Sequence, residues 1–521
     1  MRRKLRYIKL TLQGDCAEAR PELPFFAPRA GFVLPELLQL LHAASGNDRV
    51  QAVFFVIKSL RIGWGGIQEI HQELDRFHQA GKRSFVYLEH VDNRTYYLAC
   101  GAESVAVAPA ATVDLVGLRA EVFFLKNLLG YLGVQPQLFK LGDYKSAVEI
   151  FTRENMSESN RLALDSILSD LQSQYIEKVA SQRNTSTQQV QKWIDQGPYN
   201  ANQASEAGLI DAVCYENEAE KRVKREAGGL RELPIPKLRP REGYLKRLLT
   251  FYRPQIAYLV ADGMLNTGPS RHRPGQRSIL GAETLIQFLD DARKRRRIKA
   301  IVIRVNSPGG SALASDLVWH QIQIVNQEKP IIFTFGDIAA SGGYYLSTGG
   351  QSVLAMPATL TGSIGVIQGK FSLQGLLSKI GIQVDSLDKG KHAGYSSSTR
   401  PFSQEESAIV QRQMREFYEN SFLKKVAEGR KKTVEEARKV AEGRVWTGAQ
   451  AKTLGLIDQT GGILDALQLA QEKAGVKKGK KVRIIQFTRR RKLRDLFATS
   501  LPGGPFGGNG LALLADELEI Y

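Results

Sequence analysis

The chain is written twice, and this limits its possible folds more than any other feature. DNRTYYLACG (92–101) matches ASGGYYLSTG (340–349) at an offset of 248 residues. The same offset pairs VQAVFFVI (50–57) with IKAIVIRV (298–305), and LGVQPQ (132–137) with IGIQVD (380–385). Towards the end of each copy the offset slips to 247, where YNANQASEAGLIDAV (199–213) matches WTGAQAKTLGLIDQT (446–460). The two openings, YIKLTLQG and IAYLVADG, also correspond. A fixed offset held over such a span marks a duplicated structural unit. With 521 residues the chain is too long for one hydrophobic core in any case. Two homologous domains are expected, residues 1–215 and 254–476. Residues 216–253, charged and carrying Pro234, Pro236 and Pro240, read as a linker with a short helix. Residues 477–521 read as a basic, then glycine-rich tail.

Each copy alternates short β-branched runs with helical patterns. In the second, AIVIRV is a buried strand, ASDLVWHQIQIV an amphipathic helix, IIFTF a strand, SGGYYLSTG a helix start and SVLAMP a further strand. Such alternation predicts an α/β fold with mostly parallel sheets and helices outside. SQEESAIVQRQMREFYENSFLKKVAEGRKKTVEEARKVAEG is expected to be helical, with turns at its glycines.

Three widely spaced cysteines, Cys16, Cys100 and Cys214, give neither a disulfide framework nor metal-ligand spacing. The start, MRRKLRYIKLTLQG, lacks the apolar stretch of a signal peptide. The longest apolar runs fall far short of the ~20 residues a membrane-spanning helix needs. A net charge of +19 suits an anionic membrane surface or a basic solvated exterior. MRRKLRYIKL and IIQFTRRRKLRDLF fit the former, ARKRRRIKA a solvated helix end. No basic patch is interleaved with aromatics in a nucleic-acid-binding module, so no nucleic-acid partner is expected.

The chemistry concentrates in two places of the second copy. NSPGG (306–310) directly follows a strand, and its glycines leave backbone N–H groups uncovered, as an oxyanion requires. Ser341, followed by Gly342, stands at the next strand-to-helix junction. Both sites lie at the strand ends where open α/β sheets bind ligands. A serine nucleophile needs a base. None of the seven histidines, His320 and His392 included, has a suitable context. Lysine is the other choice, once burial lowers its pKa. Lys145, in KLGDYKSAVEIF, is flanked by Tyr144, Ser146, Ala147 and Val148, unlike the solvated lysine runs elsewhere. Alignment of the copies separates the parts. Ser341 faces Asn93, Lys145 faces Ala393, and NSPGG faces KSLRIG. Each copy lacks what the other keeps, which points to one composite site.

GDYKSAVE, NSPGG, GDIAASGGYYL, TGSIGV and WTGAQAKTLGLID together resemble bacterial signal peptide peptidase A of the long, two-domain type, over about residues 1–470. The resemblance implies a tandem repeat of Clp-protease/crotonase-like domains, each a superhelix of ββα units. It implies a serine endopeptidase with Ser341 as nucleophile and Lys145 as general base. Main chain around Gly309, Gly310 and Gly342 is implied as the oxyanion hole, and Ser363 of TGSIGV as the residue that orients the lysine. Asp143 and Ser146 adjoin the lysine in supporting roles. No cofactor and no metal are implied. The implied substrates are cleaved signal peptides and other unfolded apolar peptides. The implied assembly is a homo-oligomer, a tetrameric bowl, at a bacterial membrane. Long members carry an N-terminal membrane anchor, and this sequence shows none. Two rivals remain: a catalytically silent scaffold or membrane-surface binding protein, and an acyl-CoA enzyme of the crotonase kind. The retained serine, lysine and glycine loop disfavour the first. The absence of acid/base carboxylates at that loop disfavours the second.

Overall fold

The computed structural model describes residues 6–19, 31–226, 229, 231–235, 253–271, 278–477 and 482–487. The MRRKL start, the RRRKLRDLF run, the glycine-rich tail and the linker around Pro236 and Pro240 lie outside the described residues.

The β-branched runs form the centres of two sheets. In the first half, strands Arg6–Ala17, Val50–Arg61, Arg83–Leu88 and Ser104–Val107 lie side by side, all parallel. In the second, Gln255–Asp262, Ile298–Ser307 and Ile331–Ala340 repeat the order, again parallel. An antiparallel edge strand, Val445–Thr447, is reached through Leu360–Gly362. The fold is α/β, with mostly parallel sheets between helices, built twice.

Parallel strands are covered on both faces and so read as continuous apolar runs. Ile301, Ile303 and Val305 pack with Leu285, Leu289, Val318 and Ile322 of the second half's helices. The opposite face of the same sheet, Ile256, Tyr258, Ala300, Val302 and Ile332, belongs to a core shared with helices Leu34–Ser45 and Trp64–Gln79 of the first half. The two copies therefore share a core, which fixes them relative to each other.

A buried charge reinforces that seam. Arg304 is wholly inaccessible within its apolar strand. Its guanidinium donates to Glu18 at 2.9 and 3.0 Å and to Glu69 at 2.6 Å, both from the first half. It also donates to the Phe335 carbonyl at 2.6 Å and to Thr334 Oγ1 at 3.3 Å. A buried cation is tolerated when its donors are matched in this way. Burial nonetheless pushes the Glu69 carboxyl up to about 7.

The helical stretch after Ser403 runs Gln404–Phe417, passes through a π-helical segment Tyr418–Leu423 and continues as Lys424–Gly429. A separate helix, Val434–Val440, follows. Strand Gln135–Leu141 leaves the first half and pairs antiparallel with Val366–Ser372 of the second, Leu141 opposite Val366 and Gln135 opposite Ser372. That excursion carries the following turn, with Lys145, into the second half.

Candidate active site

Ser341 ends the strand Ile331–Ala340 and stands at the head of the helix Gly342–Ser347. Its backbone is held at φ 52°, ψ −118°, a conformation non-glycine residues rarely adopt. Two bonds hold it there. Its N–H donates to the Gly362 carbonyl at 2.8 Å, and its carbonyl accepts from Tyr345 N at 2.8 Å. The hydroxyl makes no helix-capping bond. It points instead at the excursion from the first half.

There Lys145 Nζ lies 3.2 Å from Ser341 Oγ. The same ammonium nitrogen is 2.8 Å from both the hydroxyl and the carbonyl oxygen of Ser363. Lys145 is 7% exposed. Burial alone brings its pKa down from 10.5 to about 7, since the lost hydration penalises the charged form. Its oxygen neighbours are two hydroxyls and a carbonyl, which solvate an amine without adding a negative charge.

The lysine turn is set by close backbone approach. Tyr144 N donates to the Glu442 carbonyl at 2.9 Å, and Gly443 N to the Ile364 carbonyl at 2.7 Å. Gly443 has φ 77°, and a Cβ there would lie 2.6 Å from both the Lys145 backbone nitrogen and its Cβ. Only glycine lets the two chains touch at that point. Ser363 is likewise held at φ 52°, its N–H donating to the Arg444 carbonyl at 2.7 Å.

The glycine loop closes the other side of Ser341. A Cβ on Gly309 would meet Ser341 Cβ and Gly342 N, each at 2.8 Å. Gly309 N donates to Ser307 Oγ at 3.2 Å, and its carbonyl accepts from Leu265 N at 2.8 Å. Gly310 bridges to Leu265, and its amide nitrogen faces Gly342. Ser341, Lys145, Ser363, Gly309, Gly310 and Gly342 therefore meet at one place. Asp143 is exposed, and its carbonyl accepts from Lys140 Nζ. Neither Asp143 nor Ser146 is among the hydrogen-bond partners of Lys145 Nζ. His320 is exposed on the helix Ala312–Asn326, and His392 sits 3.7 Å from Glu405 and Glu406.

Two supports escaped sequence reading. One is Gly443, whose only sign is a glycine after Glu442, itself at positive φ. The other is the Arg304 cluster, announced by an arginine inside AIVIRV. Among the described residues no cluster of His, Cys, Asp and Glu could hold a metal ion.

Comparison with known proteins gives a consistent set of relatives. The family model of peptidase family S49 matches residues 76–229 and 323–477, once in each half. The serine protease SPPA, chloroplastic, of Arabidopsis thaliana is 33% identical over 494 residues, covering 94% of this chain and 72% of that one. Protease 4 of Salmonella typhi is 34% identical over 417 residues, 78% of this chain and 66% of that one. A putative signal peptide peptidase SppA of Enterococcus faecium is 34% identical over 193 residues, 37% of this chain and 56% of that one. The matches thus span about two thirds of the Salmonella typhi relative, 66%, and 56% of the Enterococcus faecium one.

Proposed function

The chain belongs to peptidase family S49, and from that premise we propose that it is a serine-type endopeptidase working through a Ser341/Lys145 dyad. One observation carries the reading: a buried amine with its pKa near 7 stands 3.2 Å from a serine hydroxyl that caps nothing.

In the proposed mechanism neutral Lys145 takes the proton of Ser341 Oγ as that oxygen bonds to the substrate carbonyl carbon. The C=O π pair moves onto oxygen, and the amides of Gly310 and Gly342 receive the oxyanion. Gly309, its own N–H already directed to Ser307, contributes the space its missing Cβ leaves. Ser363 holds the amine on line with the serine. The tetrahedral intermediate collapses, the C–N bond breaks, and Lys145 returns the proton to the leaving amine. Water, deprotonated by Lys145, then cleaves the acyl-enzyme.

Substrates are proposed to be cleaved signal peptides and other unfolded apolar segments. The name of the Enterococcus faecium relative supports this class. The protein is proposed to act as a homo-oligomer, a tetramer, beside a membrane. No helix among the described residues is long and apolar enough to cross one.

A fluorophosphonate probe tests the dyad. Labelling is expected on Ser341 in the wild type, and in neither Ser341→Ala nor Lys145→Ala. Full-rate labelling of Lys145→Ala overturns the lysine as base. An unlabelled wild type favours the silent-scaffold reading.

A further inference from the structure

Both copies contain a long helix, and the second copy's holds one residue more. Ser157 caps Glu158–Gln182 and Ser403 caps Gln404–Phe417, each side-chain oxygen accepting from the amide three residues on. Further along, YIEKVA (175–180) matches FLKKVA (422–427), so Lys178 corresponds to Lys425. Between the capping serine and the matching lysine lie 20 residues in the first copy and 21 in the second. The first copy's helix runs on as α-helix without interruption. The second takes up its extra residue in the π-helical segment Tyr418–Leu423. Such segments are rare, and they are often found at functional sites.

Tyr418 serves the lysine side. Its hydroxyl donates to Glu442 Oε1 at 2.9 Å and accepts from Glu442 N at 3.4 Å. Glu442 stands at φ 53°, a costly region for a residue with a side chain. Its carbonyl accepts from Tyr144 N, and Gly443 beside it packs on the Lys145 backbone. One hydroxyl thus holds a strained turn against the turn that carries the lysine. Ser421 and Lys425 serve the serine side. Tyr345, whose amide donates to the Ser341 carbonyl, directs its hydroxyl to Asp316 Oδ1 at 2.6 Å and accepts from Lys425 Nζ at 2.8 Å. Ser421 Oγ lies 2.8 Å from the same hydroxyl. Lys425 also pairs with Asp316 and stands 3.9 Å from the centre of the Trp319 ring. In the first copy the equivalent hydroxyl, that of Tyr97, meets only the uncharged Gln68 amide, at 3.4 Å, and Lys178 turns to Asp75 instead.

We infer that the π-helical turn braces both members of the dyad, with Tyr418 as the positioning residue for Lys145 and Tyr345 as the positioning residue for Ser341. The inference rests on the dyad reading and adds what sets its 3.2 Å separation. A single turn of helix contacts the support of the amine through Tyr418 and the support of the hydroxyl through Ser421, so both are referred to one element. The extra residue belongs to the copy that holds the serine, and the copy without it has the plain helix.

The test is kinetics on the full chain. Tyr418→Phe keeps the ring and removes the hydroxyl. Its kcat for peptide hydrolysis is expected to fall about tenfold, with KM changed by less than about twofold. Fluorophosphonate labelling is expected to slow by the same factor and still to reach the wild-type endpoint. A residue needed only for folding would lower the endpoint and leave the rate per labelled site alone. Glu442→Ala is expected to match Tyr418→Phe, and the two together to cost no more than either, as one shared hydrogen bond requires. Glu442→Gln, which keeps an acceptor oxygen, is expected to recover most of what Glu442→Ala loses. Tyr345→Phe is expected to slow labelling about tenfold, and about 100-fold when combined with Tyr418→Phe, because the two act on different partners. Wild-type rates in Tyr418→Phe overturn the inference, as does a lowered endpoint at an unchanged rate per site. An unlabelled wild type, or full-rate labelling of Lys145→Ala, defeats the dyad reading itself, and the brace falls with it.

Discussion

The two copies begin the same helix in opposite ways. In the first, Asp92 caps Asn93–Cys100 with ordinary extended geometry, φ −112°. Its carboxylate accepts from Thr95 N at 2.7 Å, and its own N–H donates to Thr95 Oγ1 at 2.8 Å. Asn93 is tied down as well, donating to the Gly117 carbonyl at 2.8 Å and accepting from Val116 N at 3.3 Å. In the second copy Ser341 occupies the cap at φ 52° with no capping bond, and its hydroxyl is left for Lys145. A non-glycine residue in such a region costs on the order of 1–3 kcal/mol. Ser363, also at φ 52°, adds a second cost of that kind. One copy uses the helix start for stability; under the proposed mechanism the other uses it for reactivity. A duplicated unit permits this, since the relaxed copy and the shared core support the strained one.

The hardest test of this contrast removes the equivalent polar group from each copy. Ser341→Ala is expected to lower peptide hydrolysis by about 10³-fold or more, the scale on which loss of a nucleophile acts. Asn93→Ala is expected to keep the activity and to lose stability instead, by about 1–3 kcal/mol for the amides left unpaired. Steady-state kinetics and denaturant melts on the same two variants decide it. If Asn93→Ala also loses turnover, the division of labour between the copies fails.

Ser363→Ala comes next. The substitution removes one of the two Ser363 oxygens at Lys145 Nζ and keeps the carbonyl. A general base that is less well aimed is expected to cost about 10²-fold in kcat, with KM little changed. An effect confined to KM would assign Ser363 to substrate binding.

The α/β class was legible because each strand is an unbroken apolar run followed by a helical pattern. The meeting of Lys145 with Ser341 was legible for a different reason: each copy lacks the residue that the other keeps, Asn93 standing for Ser341 and Ala393 for Lys145. Lys145 alone was not readable. Its flanks, Tyr144, Ser146, Ala147 and Val148, set it apart from the solvated lysine runs but do not show what buries it. It is buried by Gly443 and Ser363, about 300 and 220 positions away, which meet it only because Gln135–Leu141 crosses into the second half. The Arg304 cluster was hidden for the same reason. Its carboxylates, Glu18 and Glu69, sit in the other copy, and no local pattern links them to an arginine in an apolar strand.

The first copy supplies a titration that the second, with Ala393 in the lysine's place, lacks. In the proposed mechanism Lys145 must be neutral to accept the serine proton, and burial brings its pKa to about 7. Hydrolysis is expected to rise about tenfold per pH unit below that value and to level off above it. The same shift affects stability. Unfolded, the amine holds its proton to near 10.5; folded, it releases it at about 7. Unfolding therefore takes up a proton between those values, and this group stabilises the fold as pH rises through that window. Lys145→Met is expected to flatten that part of the stability curve, read from denaturant midpoints at pH 7 and 10. An acid-side optimum for hydrolysis would remove the lysine from the reaction.

The smallest effect belongs to the relaxed copy. Asp92→Ala removes the acceptor for Thr95 N and half of the reciprocal cap, a loss of about 1 kcal/mol. The Lys145 to Ser341 geometry does not depend on that cap, so the rate of fluorophosphonate labelling should match the wild type while the midpoint of unfolding falls. If labelling slows in step with stability, the first copy's helix start is coupled to the site. The two copies would then be one strained device rather than a relaxed scaffold beside a reactive one.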